Sequence, residues 1–338
     1  VVGVSMQVWD YRNLGGNASR ATCCAPSDFD DARRVAELGG FPFYVFDFED
    51  GFKESVIDPF VNSYLKGETP NPCLDCNRKV KFSQLRRRAK AMGIDTVATG
   101  HYAQIKTNPN GLLGLYTGKD MAKDQSYFLY ALTQDELSKT LFPVGGMLKP
   151  DVRKLLAEAK IESSSKPESQ DICFVTGTVS SFVERNAQSK IISGNLVNTS
   201  GDVVGSHSGI HNFTVGQRKG IGGGNSNPLY VINIDANSGN VFVGEKDELR
   251  VSGFAVRNAS YVSGNPPEMG SEYLVKLRYR QEGVRCRVDE VEGNTLRMSF
   301  VDDWTSVSPG QAAVLYSLAL DSEGDREVIG GGIIAGKI

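Results

Sequence analysis

The sequence predicts an α/β domain built on a parallel sheet, then a small central region and a C-terminal antiparallel β-barrel. Three observations predict this. Over the first half, short β-rich runs alternate with amphipathic helical stretches, the pattern of a parallel sheet. After Cys173 the texture changes, and residues 177–228 are rich in Gly, Ser and Asn with short strands. From about residue 229, short alternating strands recur with turns between them, as in a small barrel. The expected divisions are 1–175, 176–246 and 247–338. A chain of 338 residues exceeds what one core normally serves, so two or three domains are expected on length alone.

Taken in order, Val1 to Val8 is β-rich and ends at Trp9, and Asn13 to Asn17 reads as a loop. Ser27 can cap a helix over 28–38, with Phe29, Ala32 and Ala36 on one face and Gly39-Gly40 stopping it. Phe43 to Phe48 is a strand, and 54–66 is helical. The segment with Cys73 and Cys76 reads as a loop stiffened by Pro70 and Pro72. A basic helix follows, with Phe82, Leu85, Ala89 and Met92 on one side. Asp95 to Thr99 is a short buried strand running into Gly100-His101-Tyr102. Ligands in parallel sheets sit beyond the carboxyl ends of strands, which puts Gly100-His101 and the cysteine loop at a ligand site. Lys149-Pro150 opens a further helix with Val152, Leu155, Leu156 and Ala159 inward. The later strands are expected at 230–234, 241–243, 273–279, 284–288, 295–300, 312–316 and 328–334.

Composition excludes some classes. No apolar run approaches the roughly 20 residues of a membrane span, and no signal peptide is visible. Six cysteines in a chain this long do not make a disulfide scaffold and read as cytosolic thiols. The net charge of −3 does not announce a nucleic-acid binder, and its distribution says more than its sum. Arg78, Lys79, Lys81, Arg86, Arg87, Arg88 and Lys90 form a run without an acid. Lys276, Arg278, Arg280, Arg285 and Arg287 form a second cluster, offset only by Glu282. Such patches can neutralise phosphates while the whole chain stays acidic; the alternative for each is a solvated face.

Cys73 and Cys76 form Cys-x-x-Cys, shared by half a zinc site, a redox pair and an iron–sulfur ligand pair. A closed zinc site needs four ligands. Adjacent Cys23 and Cys24 chelate poorly, and neither His207 nor His211 stands at a usual spacing. A thioredoxin-type motif opens a helix directly after a strand, which the prolines and the basic run argue against. The remaining reading pairs Cys76 with Cys173, one carrying sulfur and the other attacking or resolving. Thiolates beside Arg78 and Lys79 are expected to be reactive. Cys286, Cys23 and Cys24 are read as small semi-buried hydrophobes. His101 could be a core histidine, but its place at a strand end favours a ligand contact. Lys123-Asp124-Gln125 suits hydrogen bonding to RNA, though the same residues could cap the next helix.

Thr69–Phe82, Thr99–Tyr102, Lys123–Leu129, Ser169–Phe174, Thr214–Gly222, Arg278–Gln281 and Ser308–Gln311 resemble, in order and spacing, the motifs of the bacterial tRNA-specific 2-thiouridylase (MnmA) family. The resemblance covers nearly the whole chain. It implies an N-type ATP-pyrophosphatase (adenine nucleotide α-hydrolase-like) domain, a central tRNA-recognition domain and a C-terminal β-barrel. It implies a cytoplasmic, monomeric tRNA-uridine 2-sulfurtransferase that uses ATP and Mg²⁺ and puts sulfur at C2 of wobble uridine 34 in tRNAs for Lys, Glu and Gln. By motif, Cys76 resembles the catalytic nucleophile and Cys173 the persulfide carrier. Asn71, Pro72 and Cys73 resemble the segment around the target base, and Met6 and Gly100 match ATP-site positions. His101, Lys123, Asp124, Gln125, Arg278, Tyr279 and Gln311 match tRNA-contact positions. The implied partners are tRNA and a sulfur-donor protein, or inorganic sulfide, with no membrane.

Two departures stand out. Many members of that family carry Asp where this chain has Cys73. Cys73, Cys76 and Cys173 could therefore ligate three irons of a [4Fe–4S] cluster whose open iron takes sulfide. The family's phosphate loop, of the type Ser-Gly-Gly-Val-Asp-Ser, is expected just before Val1, on a strand–loop–helix unit of about 30 residues. The competing class is a non-catalytic tRNA-binding remnant without that loop. Another ATP-pyrophosphatase acting on small molecules is disfavoured by the thiol pair and the basic clusters.

Overall fold

The computed structural model describes residues 1–9, 26–161, 172–188, 191–221 and 228–338. Cys23, Cys24, the loop at 13–17, Ser169 to Asp171 and Gly222 lie outside them.

Strand β1 (Gly3–Gln7) pairs in parallel with β2 (Phe43–Asp47), Gly3 opposite Phe43 through Gln7 opposite Asp47. The helix Pro26–Gly39 lies between them in sequence. β3 (Val97–Ala98) is followed by a hairpin, β4 (Ala103–Thr107) and β5 (Leu113–Thr117), and then by β6 (Thr140–Leu141), which pairs with β3 in parallel. The parallel α/β pattern thus stands in two short pairs among the described residues. The hairpin was not expected, although Asn110-Gly111, with Gly111 at φ +82°, is a turn signal between its strands.

Glu49 to Leu65 runs as one helical stretch whose middle, Lys53–Ile57, is π-helical. The cysteine segment corrects the loop expectation. Pro72–Asp75 is α-helical, Cys76–Gln84 is π-helical and Leu85–Ala91 is α-helical again. The local reason is chemical. The Asn71 side chain accepts from Cys73 N at 3.2 Å as an N-cap, and Pro72 presets the first helical φ. Phe52, Val56, Phe60, Val80, Phe174 and Phe182 form the core beneath. Phe174 stands edge-on to Phe52 and Phe60, with centroids 5.6 and 5.3 Å away. On the basic helix Phe82 and Ala89 are buried as expected, while Met92 is exposed. The helix Lys149–Glu158 starts where predicted, but its apolar face is not inward: none of its residues is buried, and Leu155 is 51% exposed. Periodicity identifies an apolar face without saying what covers it.

The central region holds β7 (Gly194–Val197), β8 (Val203–His207), β9 (Tyr230–Asp235) and β10 (Asn240–Gly244), in the order β8-β7-β10-β9. β9 and β10 continue the alternating pattern of the barrel strands in the sequence, but they lie here, on the central side of the expected division at 246. Val231, Val241 and Val243 pack with Leu196, Ile210 and Phe213, and alternation alone cannot say which sheet a strand joins.

β11 (Arg250–Tyr261), β12 (Glu272–Lys276), β13 (Val284–Glu292), β14 (Thr295–Thr305), β15 (Ala312–Tyr316) and β16 (Glu327–Lys337) run β11-β14-β13-β12-β15-β16. Pairing of β11 with β16 closes them into an antiparallel barrel, which removes the open edges. Cys286 is fully buried in its core, and burial pushes the thiol up to about 12. The hairpin β4–β5 then extends the barrel sheet, with Tyr116 opposite Glu327 and Leu115 opposite Val328. Leu115, Tyr127, Leu129, Val314 and Tyr316 form one core across this join. The N-terminal region is therefore welded to the barrel, and the space between them is shaped by both.

Candidate active site

A cleft of about 1470 Å³ lies where the cysteine helix, the hairpin and the barrel meet. Asn71, Pro72 and Cys73 form one part of its wall, and Gly100 and Lys123-Asp124-Gln125 another. Tyr279 and Gln311 reach it from the barrel. Residues far apart in sequence are thus brought to one surface. Lys149, Lys276 and Arg326 also line it, as does Phe128, whose ring lies 4.3 Å from that of Tyr279. These four went unrecognised as site residues. Lys149 read only as a helix opener and Lys276 only as a member of a charge run. With Lys123 and Arg280 they give five cations in the lining against Asp124 and Glu282, a surplus that suits a polyanion.

Several of these side chains also build the wall. Asp124 is 4% exposed and accepts from Gly118 N, Ser126 N and Ser126 Oγ, each at 3.0 Å. Its bond from Ser126 N leads the chain into the turn Ser126–Leu129, and it faces Lys276 Nζ at 3.6 Å. Gln125 Oε1 accepts from Tyr102 N at 3.0 Å, and Gln125 N donates to Tyr102 O at 2.8 Å. Lys149 Nζ sits 5.5 Å from the centre of the Tyr102 ring, a cation–π contact. Gln311 Nε2 donates to Thr69 O at 2.7 Å. Arg278 donates to Ser308 Oγ and to Val215 O, tying the Thr214 segment to the barrel. Arg278, Met6 and His101 are not in the lining; Met6 packs from β1 against the phenylalanine cluster.

His101 lies in the core rather than on the ligand surface that its strand-end position suggested. Its ring packs against Phe82 and Phe142, with centroids 6.0 and 5.8 Å away, and Nδ1 shares a 2.7 Å hydrogen bond with Thr99 Oγ1. Burial, aided by the charge of Lys81, pulls its pKa down to about 3. The folded protein therefore holds it neutral, while an unfolded chain protonates it below about 6.5. Between those values the unfolded state binds the extra proton, so stability falls as pH drops from about 6.5 towards 3 and is level above. At pH 5 the loss from this group is about 2 kcal/mol. Thermal melts from pH 5 to 8 should show that slope, and His101→Phe should flatten it; equal slopes would place the acid sensitivity elsewhere.

The thiols divide between two surroundings. Cys73 is exposed and lines the cleft. Cys76, one turn on, and Cys173 are half-buried, and both pack against the Phe52–Phe60–Phe174 cluster. Ile172, beside Cys173, lines the cleft, so the cavity reaches the second thiol's segment. The charge runs are less uniform than the sequence suggested. Lys79 pairs with Asp75 at 2.9 Å and Arg86 with Asp135 at 2.9 Å. On the barrel, Arg285 pairs with Asp302 at 3.4 Å and Arg287 with Asp289 at 3.1 Å.

Among the described residues, Asp321, Glu323 and Asp325 are the one acid group with ligand atoms within 4.8 Å of one another. Lys106 Nζ lies between them, at 2.6, 2.7 and 2.7 Å, so the cluster is an ionic clasp between the hairpin and the barrel. Burial works to lower the Lys106 pKa, but the hydrogen bonds from Asp321, Asp325 and Glu323 raise it overall.

Three family models match in sequence. They are described as a tRNA methyl transferase HUP domain (residues 1–177), a tRNA methyl transferase PRC-barrel domain (180–245) and an aminomethyltransferase β-barrel domain (251–334). The fold and the site thus define a protein of the class built from these three modules in this order. A tRNA-specific 2-thiouridylase MnmA of Geobacter metallireducens is 44% identical over 337 residues, 99% of this chain and 89% of its own length. Its namesake from Lachnoclostridium phytofermentans is 41% identical over 335 residues, 99% and 92% of the two chains. The chain belongs to the tRNA-specific 2-thiouridylase (MnmA) family. No helix among the described residues is long and apolar enough to cross a membrane.

Proposed function

We propose that the protein is an ATP-dependent tRNA-uridine 2-sulfurtransferase acting on wobble uridine 34 of tRNAs for Lys, Glu and Gln. The observation that carries this reading is the joining of Asn71-Pro72-Cys73, Gly100, Lys123 and Tyr279 around one cationic cleft, with Cys76 and Cys173 on the apolar cluster beside it. Uridine is within reach of the thiols only if the base leaves the anticodon stack, and a cavity of about 1470 Å³ has room for it. Lys123, Lys149, Lys276 and Arg280 would hold phosphates, which position the RNA rather than specify it.

The C2 oxygen of uracil is a poor leaving group. Attack of that oxygen on the α-phosphate of ATP releases pyrophosphate and makes it part of an adenylate; Mg²⁺ accompanies the triphosphate and offsets its charge. The terminal sulfur of a Cys173 persulfide then attacks C2, and AMP departs with the oxygen. The Cys76 thiolate attacks Cys173 Sγ, the S–S bond to the uridine sulfur breaks, and 2-thiouridine leaves with that electron pair. A Cys76–Cys173 disulfide remains, which an external dithiol reductant resets. The donor set also suits a second reading. Cys73 and Cys76 are one helical turn apart and Cys173 packs on the same cluster as Cys76, so the three could hold three irons of a [4Fe–4S] cluster. Such a cluster supplies an open iron that takes inorganic sulfide.

The test is nucleoside analysis of unmodified tRNA incubated with full-length protein, ATP and a persulfide donor. 2-Thiouridine at the wobble position alone is expected; bound but unmodified tRNA would leave the remnant reading. Gly100 gives a sharper check of the ATP site. A Cβ there meets nothing within 4 Å, so Gly100→Ala should fold with an unchanged Tm. Close approach of a nucleotide would be lost, and KM for ATP should rise on the order of tenfold. An unchanged KM would remove Gly100 from the site.

A further inference from the structure

Residues 67–69 are where the cysteine helix meets both other regions. The Glu68 carboxylate takes the Arg257 guanidinium from β11, at 2.8 Å to each oxygen. Thr69 N donates to Pro309 O at 2.8 Å, and Gln311 Nε2 donates to Thr69 O at 2.7 Å, so the barrel grips both backbone groups of one residue. Thr69 Oγ1 donates to Thr214 Oγ1 of the central region at 3.1 Å. The approach is closer than a side chain permits. Gly310 has φ +91°, and a Cβ on it would lie 2.9 Å from Thr69 N and from Glu68 Cβ. Two residues on, Asn71 caps the helix that carries Cys73 and Cys76.

Three observations mark that helix as able to shift. Cys76–Gln84 is π-helical, a geometry that is rare and concentrated at functional sites. Asn77 is 4% exposed; its Nδ2 donates to Cys73 O at 3.0 Å, while its buried Oδ1 has no partner. A cavity of about 310 Å³, lined by Gly67, Glu68, Val215 and Pro309, lies behind the junction and gives it room that a close-packed core would not.

We propose that Glu68 and Arg257 are positioning residues for sulfur transfer. Through the Thr69 grip, RNA seated on the barrel and central region sets the register of the Cys73–Cys76 helix. The inference rests on the thiolation reading above. Neither residue lines the cleft; both act through Thr69-Pro70-Asn71.

The test compares wild type with Arg257→Ala, Glu68→Gln and the exchange Glu68→Arg/Arg257→Glu in the full-length protein. Three quantities are read: the rate of Cys76 alkylation by iodoacetamide, resolved by site with mass spectrometry; the Kd for unmodified tRNA; and the single-turnover thiolation rate. Each single variant should change Cys76 alkylation by about threefold or more and slow thiolation at least about tenfold, with Kd within about twofold. The exchange should recover most of both losses. Unaltered alkylation, or a rate loss matched by an equal loss of tRNA affinity, would overturn the proposal. If a single variant melts below the assay temperature, Arg257→Lys carries the same comparison, since it keeps the charge and removes the planar guanidinium whose one nitrogen reaches both Glu68 oxygens. Should wild type bind tRNA without thiolating it, the function reading fails, while the alkylation arm still decides the clamp.

Discussion

Cys76→Ser and Cys173→Ser should each reduce single-turnover thiolation on the order of a thousandfold or more, with tRNA binding and Tm close to wild type. The expectation follows from chemistry and placement. A serine hydroxyl at 173 cannot bear a persulfide, and one at 76 cannot break the sulfur–sulfur bond at neutral pH. Both positions are half-buried against the same phenylalanine cluster, so an oxygen for a sulfur costs little packing. The control is Cys286→Ser. That thiol is fully buried in the barrel, and burial drives its pKa up to about 12, so it is inert. Its variant should keep thiolation within about twofold and lose about 1–3 kcal/mol of stability from a buried hydroxyl. A rate within about tenfold of wild type in either of the first two would remove that cysteine from the mechanism.

Lys106→Met is expected to cost about 2 kcal/mol of stability, between the limits for exposed and buried pairs. It would leave Asp321, Glu323 and Asp325 facing one another without their cation. It would also remove one tie between the hairpin and the barrel near the cleft's edge, where Thr117 and Arg326 line the cavity, while the β5–β16 pairing stays. Adding Asp325→Asn should recover part of the loss, because one of the repelling charges is gone. Denaturant melts of the two single variants and the double close the cycle; strict additivity would mean that the clasp contributes nothing as a unit.

The sequence made local features legible and left spatial ones hidden. Barrel strand 284–288 alternates cleanly, 312–316 stands out as a continuous apolar run, and Lys149-Pro150 marked a true helix start. The cysteine helix was readable too, since Asn71-Pro72 is a cap and first-turn pair, but flanking prolines pulled the reading towards a loop. What could not be read depends on distant partners. Nothing near residue 115 says that the hairpin will pair with residue 328. His101 looks alike on paper whether it faces a ligand or lies against Phe82 and Phe142. Asp124 was readable either as an RNA contact or as a local hydrogen-bonding residue, and its three hydrogen bonds to Gly118 and Ser126 show the second. Resemblance to a family named the thiols and the tRNA-contact positions; the fold added the clamp on Thr69, which no motif announces.

The central claim is that sulfur passes through Cys173 and Cys76. The most direct measurement is mass spectrometry of the cysteine peptides before and after one turnover, on anaerobically prepared protein with iron assayed in the same sample. One added sulfur on Cys173 is expected after exposure to a persulfide donor. After ATP and tRNA are supplied, a Cys76–Cys173 disulfide is expected in step with 2-thiouridine, in protein without iron. Thiolation that requires iron, with no added sulfur on Cys173 and no disulfide after turnover, would contradict that claim.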